Sequence, residues 1–337
     1  MLESFSTTGI GSLPYSDPLE ACKVIFSSVE IPFWPQLPHK NFLELMVPQY
    51  SEGFPFVKIE GEHIHVEKAN EQAAASFYEA IDKKEGFPIS QEYAAGLYTF
   101  IDILKGKKQK LRAVKGQITG PLTYTLSLTD NQKKPIYFDE EMRELALELL
   151  KGKVSWQVDA LRPYADRVVL FIDEPILSAL GTSTYIGVNS SEASRLLSEI
   201  VSHTKSTGAL AGIHCCSKAD WPLVLSSKPD IFSFDAYYYW DSLCLYPDEI
   251  TAFINNGGFI AWGVVPTSDA IRNVTLQGLR EQLERGLSSL EKIGLPGDKL
   301  RKQALLTPSC GTGSMTINDT VMVFSLLKDL RESYVNG

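Results

Sequence analysis

The sequence predicts an α/β protein folded as a single (β/α)8 barrel, a TIM barrel, with a loop or hairpin insertion near the N-terminus. Short β-rich runs alternate with helical patterns along almost all of the 337 residues, which indicates parallel βαβ units. A doubly wound sheet also satisfies that alternation. We favour the barrel because polar and sulfur-bearing residues end many of the strands, and a barrel brings all strand ends to one mouth. No change in composition marks a boundary, so one domain over residues 1–337 is expected.

The predicted strands or strand-bearing segments follow one another along the whole chain, with amphipathic stretches between most of them. They cover residues 7–13, 57–66, 112–119, 167–172, 209–216, 230–236, 259–265 and 304–309. The least regular segments, 30–65 and 105–135, are expected to be loops and a hairpin that decorate the barrel.

The clearest predicted helix covers 275–293, where leucine or isoleucine recurs every three or four residues along one face. A second amphipathic stretch covers 139–161. Asn318 or Asp319, just before 321–330, is expected to cap the last helix. These helices are the expected outer layer of the barrel.

The composition is that of an ordinary globular protein, with 44% hydrophobic and 22% charged residues. The net charge of −9 argues against nucleic acid as a partner. The sequence contains no apolar run of membrane-spanning length and no signal peptide pattern, so no membrane association is expected. Five scattered cysteines are too few for a disulfide scaffold, which predicts reduced thiols and a cytoplasmic location.

The sharpest local signal is the run from His214 to Cys216. Side chains alternate along a strand, so His214 and Cys216 are expected on one face and Cys215 on the other. An imidazole and a thiolate at this spacing suit a tetrahedral zinc site. A buried histidine beside two core cysteines would explain the same residues, since free cysteine is among the most buried residue types.

Two further strand ends strengthen the metal hypothesis. Cys310 follows the last predicted strand, and Asp235 lies at the end of 230–236. With His214 and Cys216 they would give a nitrogen, two sulfurs and an oxygen. Two thiolates suit Zn²⁺ better than Mg²⁺ or Ca²⁺. A weak fourth ligand, Asp235, would let a substrate enter the coordination sphere.

Two other strand ends carry candidate substrate-binding groups. An apolar strand ends in Asp173 and Glu174, which would either stabilise a helix N-terminus or anchor a cationic substrate group at the barrel mouth. Ser12 stands between glycine and proline in a sequence typical of a turn. Its hydroxyl is the right type of donor for a substrate carboxylate.

In this order, the motifs resemble the catalytic domain of cobalamin-independent methionine synthase. That family lies within a superfamily that includes methylcobalamin:coenzyme M methyltransferase and uroporphyrinogen decarboxylase. The resemblance runs from residues 8–14 to Cys310, nearly the whole chain, and includes 119–121 and 172–175. It implies a (β/α)8 barrel with zinc at its C-terminal face. The individual motifs are short, but their order is specific.

The resemblance assigns roles to residues of this chain. It implies that His214, Cys216 and Cys310 are zinc ligands. It also implies that Ser12 and Asp173 hold the carboxylate and amino groups of homocysteine, with Asp173 as the catalytic-site residue and Glu174 beside it.

The sequence also departs from the folate-dependent members of that family, which carry a second, N-terminal barrel. Asp235 stands where they have a glutamate ligand, so its ligation of zinc is in doubt. Ser127 stands where a tryptophan stacks on the folate, residues 263–267 lack the histidine that protonates the folate, and a glutamate that helps bind the amine falls at Leu37. The sequence resembles the short "core" methionine synthases, which take methyl from methylcobalamin.

These observations predict zinc-dependent methyl transfer from methylcobalamin, free or on a corrinoid protein, to the thiol of homocysteine. Transfer to another thiol such as coenzyme M is the first alternative, although Asp173 favours a substrate with an ammonium group. Porphyrin decarboxylation is disfavoured because it needs no zinc. A corrinoid- or thiol-binding protein without turnover stays open. The aromatic run 237–240 would form a packing loop or a wall for a corrinoid.

Overall fold

The computed structural model describes residues 2–68, 71–83, 86–180 and 187–335. At its centre lies a curved parallel sheet of six strands in the order β3-β4-β5-β6-β7-β8, each strand pairing with the next one in sequence. A separate antiparallel hairpin pairs β1 with β2. The strands are β1 (Val57–Glu60), β2 (His63–Val66), β3 (Leu111–Thr119), β4 (Ala165–Asp173), β5 (Leu210–Cys215), β6 (Ile231–Phe234), β7 (Phe259–Val265) and β8 (Ala304–Pro308).

Helices connect successive strands of the sheet, as parallel pairing requires. They are α1 (Pro18–Ser28), α2 (Met46–Ser51), α3 (Glu71–Asp82), α4 (Ala95–Lys105), α5 (Pro121–Ser127), α6 (Glu140–Leu161), α7 (Ser190–Ser206), α8 (Trp221–Ser226), α9 (Ala236–Tyr239), α10 (Pro247–Asn255), α11 (Leu276–Lys292), α12 (Gly297–Lys302) and α13 (Ile317–Val335). Within the described ranges, no helix is both long and apolar enough to cross a membrane.

The two outer strands of the sheet, β3 and β8, are connected through extended segments near the N-terminus. Residues 5–13 bond to β8, residues 31–36 bond to β3, and the two segments bond to each other. A path of backbone hydrogen bonds therefore joins β8 to β3 through isolated bridges rather than regular strands. Its bonds include Thr8 N to Leu306 O (3.1 Å), Gln36 N to Gly11 O (3.1 Å) and Lys115 N to Pro32 O (2.8 Å).

The prediction that 57–66 is a barrel strand was wrong. These residues form the β1–β2 hairpin, which turns at Gly61 with a φ of +61°, a left-handed conformation that glycine adopts without strain. The predicted hairpin insertion near the N-terminus is therefore observed. The segment 105–135 is more regular than expected, since it contains β3 and α5. The extended run 31–36 went unpredicted because it is short and interrupted by two prolines.

Helix α11 shows how the pattern in the sequence becomes packing. Thr275 caps it by accepting from Gly278 N at 3.1 Å, and its leucines form one buried stripe. Each fully buried leucine contributes roughly 1.5–3 kcal/mol. In α13, by contrast, Asn318 and Asp319 lie inside the helix. Thr316 is the cap: its hydroxyl accepts from Asp319 N at 3.1 Å and donates to the Asp319 carboxylate at 2.8 Å.

The sheet separates two hydrophobic clusters. The larger one lies between the strands and the surrounding helices. The smaller one takes alternate residues from the strands and fills the other face of the curved sheet. Its buried members are Ile10, Val169, Phe171, Ile231, Phe259, Ala261 and Leu305. The polar residues described next continue these same inward rows toward the carboxyl ends of the strands.

Candidate metal and substrate site

Three potential metal ligands meet at the carboxyl ends of β5 and β8. His214 lies on β5, Cys216 follows that strand, and Cys310 follows β8. Their ligand atoms, one from each side chain, all lie within 4.8 Å of one another. Alternation along β5 sends Cys215 into the outer core, where it is 1% exposed. The structure thus brings together the three residues to which the resemblance assigned zinc and separates them from Cys215.

The two sulfurs of this group differ in their affinity for protons. A hydrogen bond from Cys310 and the neighbouring imidazole of His214 lower the pKa of the Cys216 thiol to about 4. The same hydrogen bond, followed by burial, raises the pKa of the Cys310 thiol. These contacts favour the thiolate of Cys216, which is the form that binds metals.

The imidazole of His214 is held on one side and open on the other. Its Nδ1 lies 3.0 Å from the hydroxyl of Ser233 on β6. Its Nε2 is buried and makes no hydrogen bond within the described residues. A ligand bound at Nε2 would give this buried nitrogen a full partner. One imidazole and two thiols with an open nitrogen fit Zn²⁺.

Asp235 lies outside the group of metal ligands found among the described residues. Its carboxylate caps α9 by accepting from Tyr238 N at 3.0 Å, and only 6% of the residue is exposed. Burial raises its pKa to about 6, against the backbone hydrogen bonds that lower it. The aspartate is therefore committed to the helix N-terminus, while it remains close enough to His214 and Cys216 to interact electrostatically.

Asp173 ends β4 in register with His214 on β5. Its Oδ1 is buried and has no hydrogen-bond partner within the described ranges. Burial raises the pKa of the carboxyl group to about 6, although Lys115 first and His214 second oppose that shift. An acceptor that is buried but unpaired, beside the metal-ligand group, is suited to a cationic hydrogen-bond donor.

Glu174 faces away from that opening and holds α5. Its two carboxylate oxygens accept from Leu122 N at 2.9 Å and from Thr123 N at 2.7 Å, and the Thr123 hydroxyl donates to it at 2.6 Å. The residue is fully buried, and burial raises its pKa to about 7. These contacts match the helix N-terminal role that the sequence left open. A contact of Glu174 with substrate stays a prediction.

Ser12 lies against the loop that carries Cys310. Its carbonyl accepts from Thr312 N at 2.8 Å, and its hydroxyl accepts from Gly313 N at 3.3 Å. A Cβ at Gly311 would lie 2.2 Å from the Ser12 hydroxyl, so only glycine permits this approach. The contact places the candidate carboxylate-binding hydroxyl next to the metal-ligand loop.

Sequence reasoning missed Lys115, a fully buried lysine on β3. Its ammonium donates to Ile10 O at 2.5 Å and to the Gln117 side chain at 3.3 Å, and it lies 4.6 Å from the ring centre of Phe171. Burial lowers its pKa to about 7, while Asp173 opposes that shift. The available signal was a single charge within the buried run 113–119 of that strand.

The resemblance links two positions to a methyl donor. Ser127, the last residue of α5, is exposed and offers no ring for stacking. The aromatic run 237–240 spans α9 and the turn after it, and Tyr238 is 52% exposed, with its hydroxyl 3.1 Å from that of Ser268. The rings of this run, which follows Asp235 in the chain, are therefore exposed or partly exposed.

Comparison with known proteins identifies the fold. No family model matches the sequence, and no curated protein matches it. A B12-independent methionine synthase from Shewanella sp. W3-18-1, in complex with selenomethionine, has a TM-score of 0.59 at 13% identity, covering 99% of this chain and 98% of that one. A methyltransferase from Methanosarcina mazei has a TM-score of 0.56 at 11% identity, covering 99% and 96%. The chain shares the α/β fold of these two structures.

Proposed function

We propose that this chain is a zinc-dependent thiol methyltransferase that transfers a methyl group from methylcobalamin to homocysteine and forms methionine. The donor is free or carried by a corrinoid protein. The observation that carries the proposal is the group of His214, Cys216 and Cys310 at the strand ends. The fold shared with a methionine synthase and a methyltransferase supports it.

We also propose that the sheet closes into a barrel and that the chain is related to a particular family. The bridges between β8, the N-terminal segments and β3 support an eight-membered (β/α)8 barrel that forms one domain over residues 1–337. The proposed relationship is to the short "core" methionine synthases. A cytoplasmic location with reduced thiols accords with a site that depends on two cysteines.

The protein's own residues prepare the thiol. Alkyl thiols have a pKa of about 8.5 or higher and are weak nucleophiles at neutral pH. Zinc held by His214, Cys216 and Cys310 would supply a Lewis acid that favours the thiolate. Asp173 would accept from the homocysteine ammonium and Ser12 would donate to its carboxylate. Glu174 would contribute by fixing the N-terminus of α5 beside Asp173.

The transfer itself is a displacement at carbon. The thiolate sulfur would form a bond to the donor's methyl carbon, and the corrinoid would leave with both electrons of the cobalt–carbon bond. The products are methionine and cob(I)alamin, and the thiol proton passes to solvent. No protonation of the leaving group is needed, which accords with residues 263–267 having no histidine. The aromatic run 237–240 would face the corrinoid.

The test supplies zinc-loaded protein with methylcobalamin and either homocysteine or coenzyme M, and follows cobalamin absorbance and the methylated thiol. We expect methionine formation to be faster than methylation of coenzyme M, which lacks the ammonium that Asp173 would bind. Faster reaction with coenzyme M would support the alternative thiol. Binding of either compound without turnover would favour a corrinoid- or thiol-binding protein.

A further inference from the structure

We infer that Ser233 is a positioning residue for the proposed metal centre: its hydroxyl holds the His214 ring so that Nε2 faces the metal. This inference rests on the proposed function. The two side chains are in register across β5 and β6, and Nδ1 lies 3.0 Å from Oγ. Metal-binding imidazoles commonly bond through their second nitrogen to an outer group that fixes ring orientation.

The surroundings of Ser233 explain why the hydroxyl is there. The residue is fully buried, and alternation along β6 places it in the row of Ile231, which belongs to the inner apolar cluster. Phe232 and Phe234 point the other way, into the outer core. A hydroxyl in an apolar layer costs free energy unless it is bonded. The contact with His214 offsets that cost.

The two ring nitrogens of His214 have different surroundings. Nδ1 contacts Ser233, whereas Nε2 is buried without a hydrogen-bond partner in the described part of the chain. A metal binds the nitrogen that carries the lone pair, so the proton must be on Nδ1 and the serine must accept it. Ser233 thereby holds the rotation of the ring and accepts the proton on Nδ1 when a metal takes Nε2.

The experiment measures Zn²⁺ affinity by competition with a chelating dye for the unmutated protein, Ser233→Ala and Ser233→Thr. We expect Ser233→Ala to weaken affinity about 10–100-fold and Ser233→Thr, which keeps the hydroxyl, to restore most of it. Ser242→Ala is the matched control. It removes another buried serine hydroxyl, one that bonds to Trp221 and to the Tyr239 carbonyl and lies outside the metal-ligand group.

A second readout separates positioning from general destabilisation. Co²⁺ replaces Zn²⁺ in the same variants, and the ligand-field bands report geometry at the metal. We expect these bands to change in Ser233→Ala but not in Ser242→Ala, with thermal unfolding of the metal-free variants as the measure of stability. Equal Zn²⁺ affinity and equal Co²⁺ spectra in Ser233→Ala and the unmutated protein would overturn the inference. Failure of the unmutated protein to bind Zn²⁺ would instead overturn the proposed function on which it rests.

Discussion

Asp173 and His214 pair in register across β4 and β5, and each contributes a buried polar atom that has no partner in the described structure, Oδ1 and Nε2. Unsatisfied buried groups are uncommon in folded proteins and call for an explanation. Here one is an acceptor, and the other belongs to a potential metal ligand. A zwitterionic thiol bound to a metal ion would satisfy both, because its ammonium group would pair with Oδ1 and the metal ion with Nε2.

The first prediction separates three neighbouring cysteines by their position. We expect Cys216→Ser and Cys310→Ser to lose bound zinc and activity, because each removes one of three clustered ligands. Cys215→Ser should keep most of both, since that side chain lies in the outer core. Elemental analysis of the purified variants measures zinc per chain. A metal-free Cys215 variant beside a zinc-loaded Cys216 variant would show that the assignment of faces is wrong.

The second prediction concerns Asp235. Since its carboxylate caps α9, and asparagine caps helices about as well as aspartate, we expect Asp235→Asn to retain one zinc per chain. Asp235→Ala should lower stability by about 0.5–2 kcal/mol and also keep the metal. The measurements are metal content and urea unfolding. Loss of zinc from Asp235→Asn at unchanged stability would make the aspartate a ligand.

The third prediction tests the proposed contact between Asp173 and the ammonium group of homocysteine. A charge-assisted hydrogen bond is worth roughly 1.5–3 kcal/mol, so Asp173→Asn should weaken homocysteine binding about ten- to a hundred-fold. Zinc content should not change, because Asp173 lies outside the metal-ligand group. Binding is measured with homocysteine and with a thiol that lacks the amine. If the unmutated protein acted equally on both thiols, Asp173 would have no such role.

The fourth prediction follows from Lys115, whose pKa burial lowers from 10.5 to about 7. Between these values the unfolded chain binds a proton that the folded chain has released. The lysine therefore makes stability rise with pH in this window, by at most about 1.4 kcal/mol per pH unit. Lys115→Met should remove that rise, so the unmutated protein gains stability relative to the variant as the pH increases.

Urea unfolding of both proteins at several pH values measures this difference, and comparing the two cancels other titrating groups. Lys153→Met is the control, because Lys153 is also buried on α6 but its pKa is lowered only to about 8. The stability difference between Lys153→Met and the unmutated protein should begin to grow about one pH unit higher. A Lys115→Met difference that is flat from pH 7 to 10.5 would contradict the lowered pKa.

The grouping of His214, Cys216 and Cys310 could be predicted from the sequence, whereas some of the surrounding elements could not. Alternation along one strand was enough to separate Cys215 from His214 and Cys216, because that pattern is local. The partner of His214 was not predictable, since it depends on the register of β5 against β6. The cap formed by Asp235 depends on how the chain turns after β6, which no pattern specified. The strand-like run 57–66 was misassigned because a hairpin and a barrel strand share the same residue preferences.

The last prediction concerns the methyl donor. Ser127 offers no ring to stack on a folate, and a stacked aromatic pair is worth about 0.5–1.5 kcal/mol beyond its buried area. No histidine lies in 263–267, and a Cβ at Gly263 would lie 2.3 Å from Phe234 O, so that position accepts no side chain. A positioned general acid typically contributes 10²–10⁴-fold in rate, and its absence compounds the loss of stacking. We therefore expect no useful turnover with methyltetrahydrofolate, even as a polyglutamate.

Methylcobalamin should react and give cob(I)alamin under anaerobic conditions. The measurement compares methionine formed from each donor at equal concentration. A rate with the folate that matches or exceeds the rate with methylcobalamin would overturn the corrinoid donor and leave the zinc–thiolate chemistry in place.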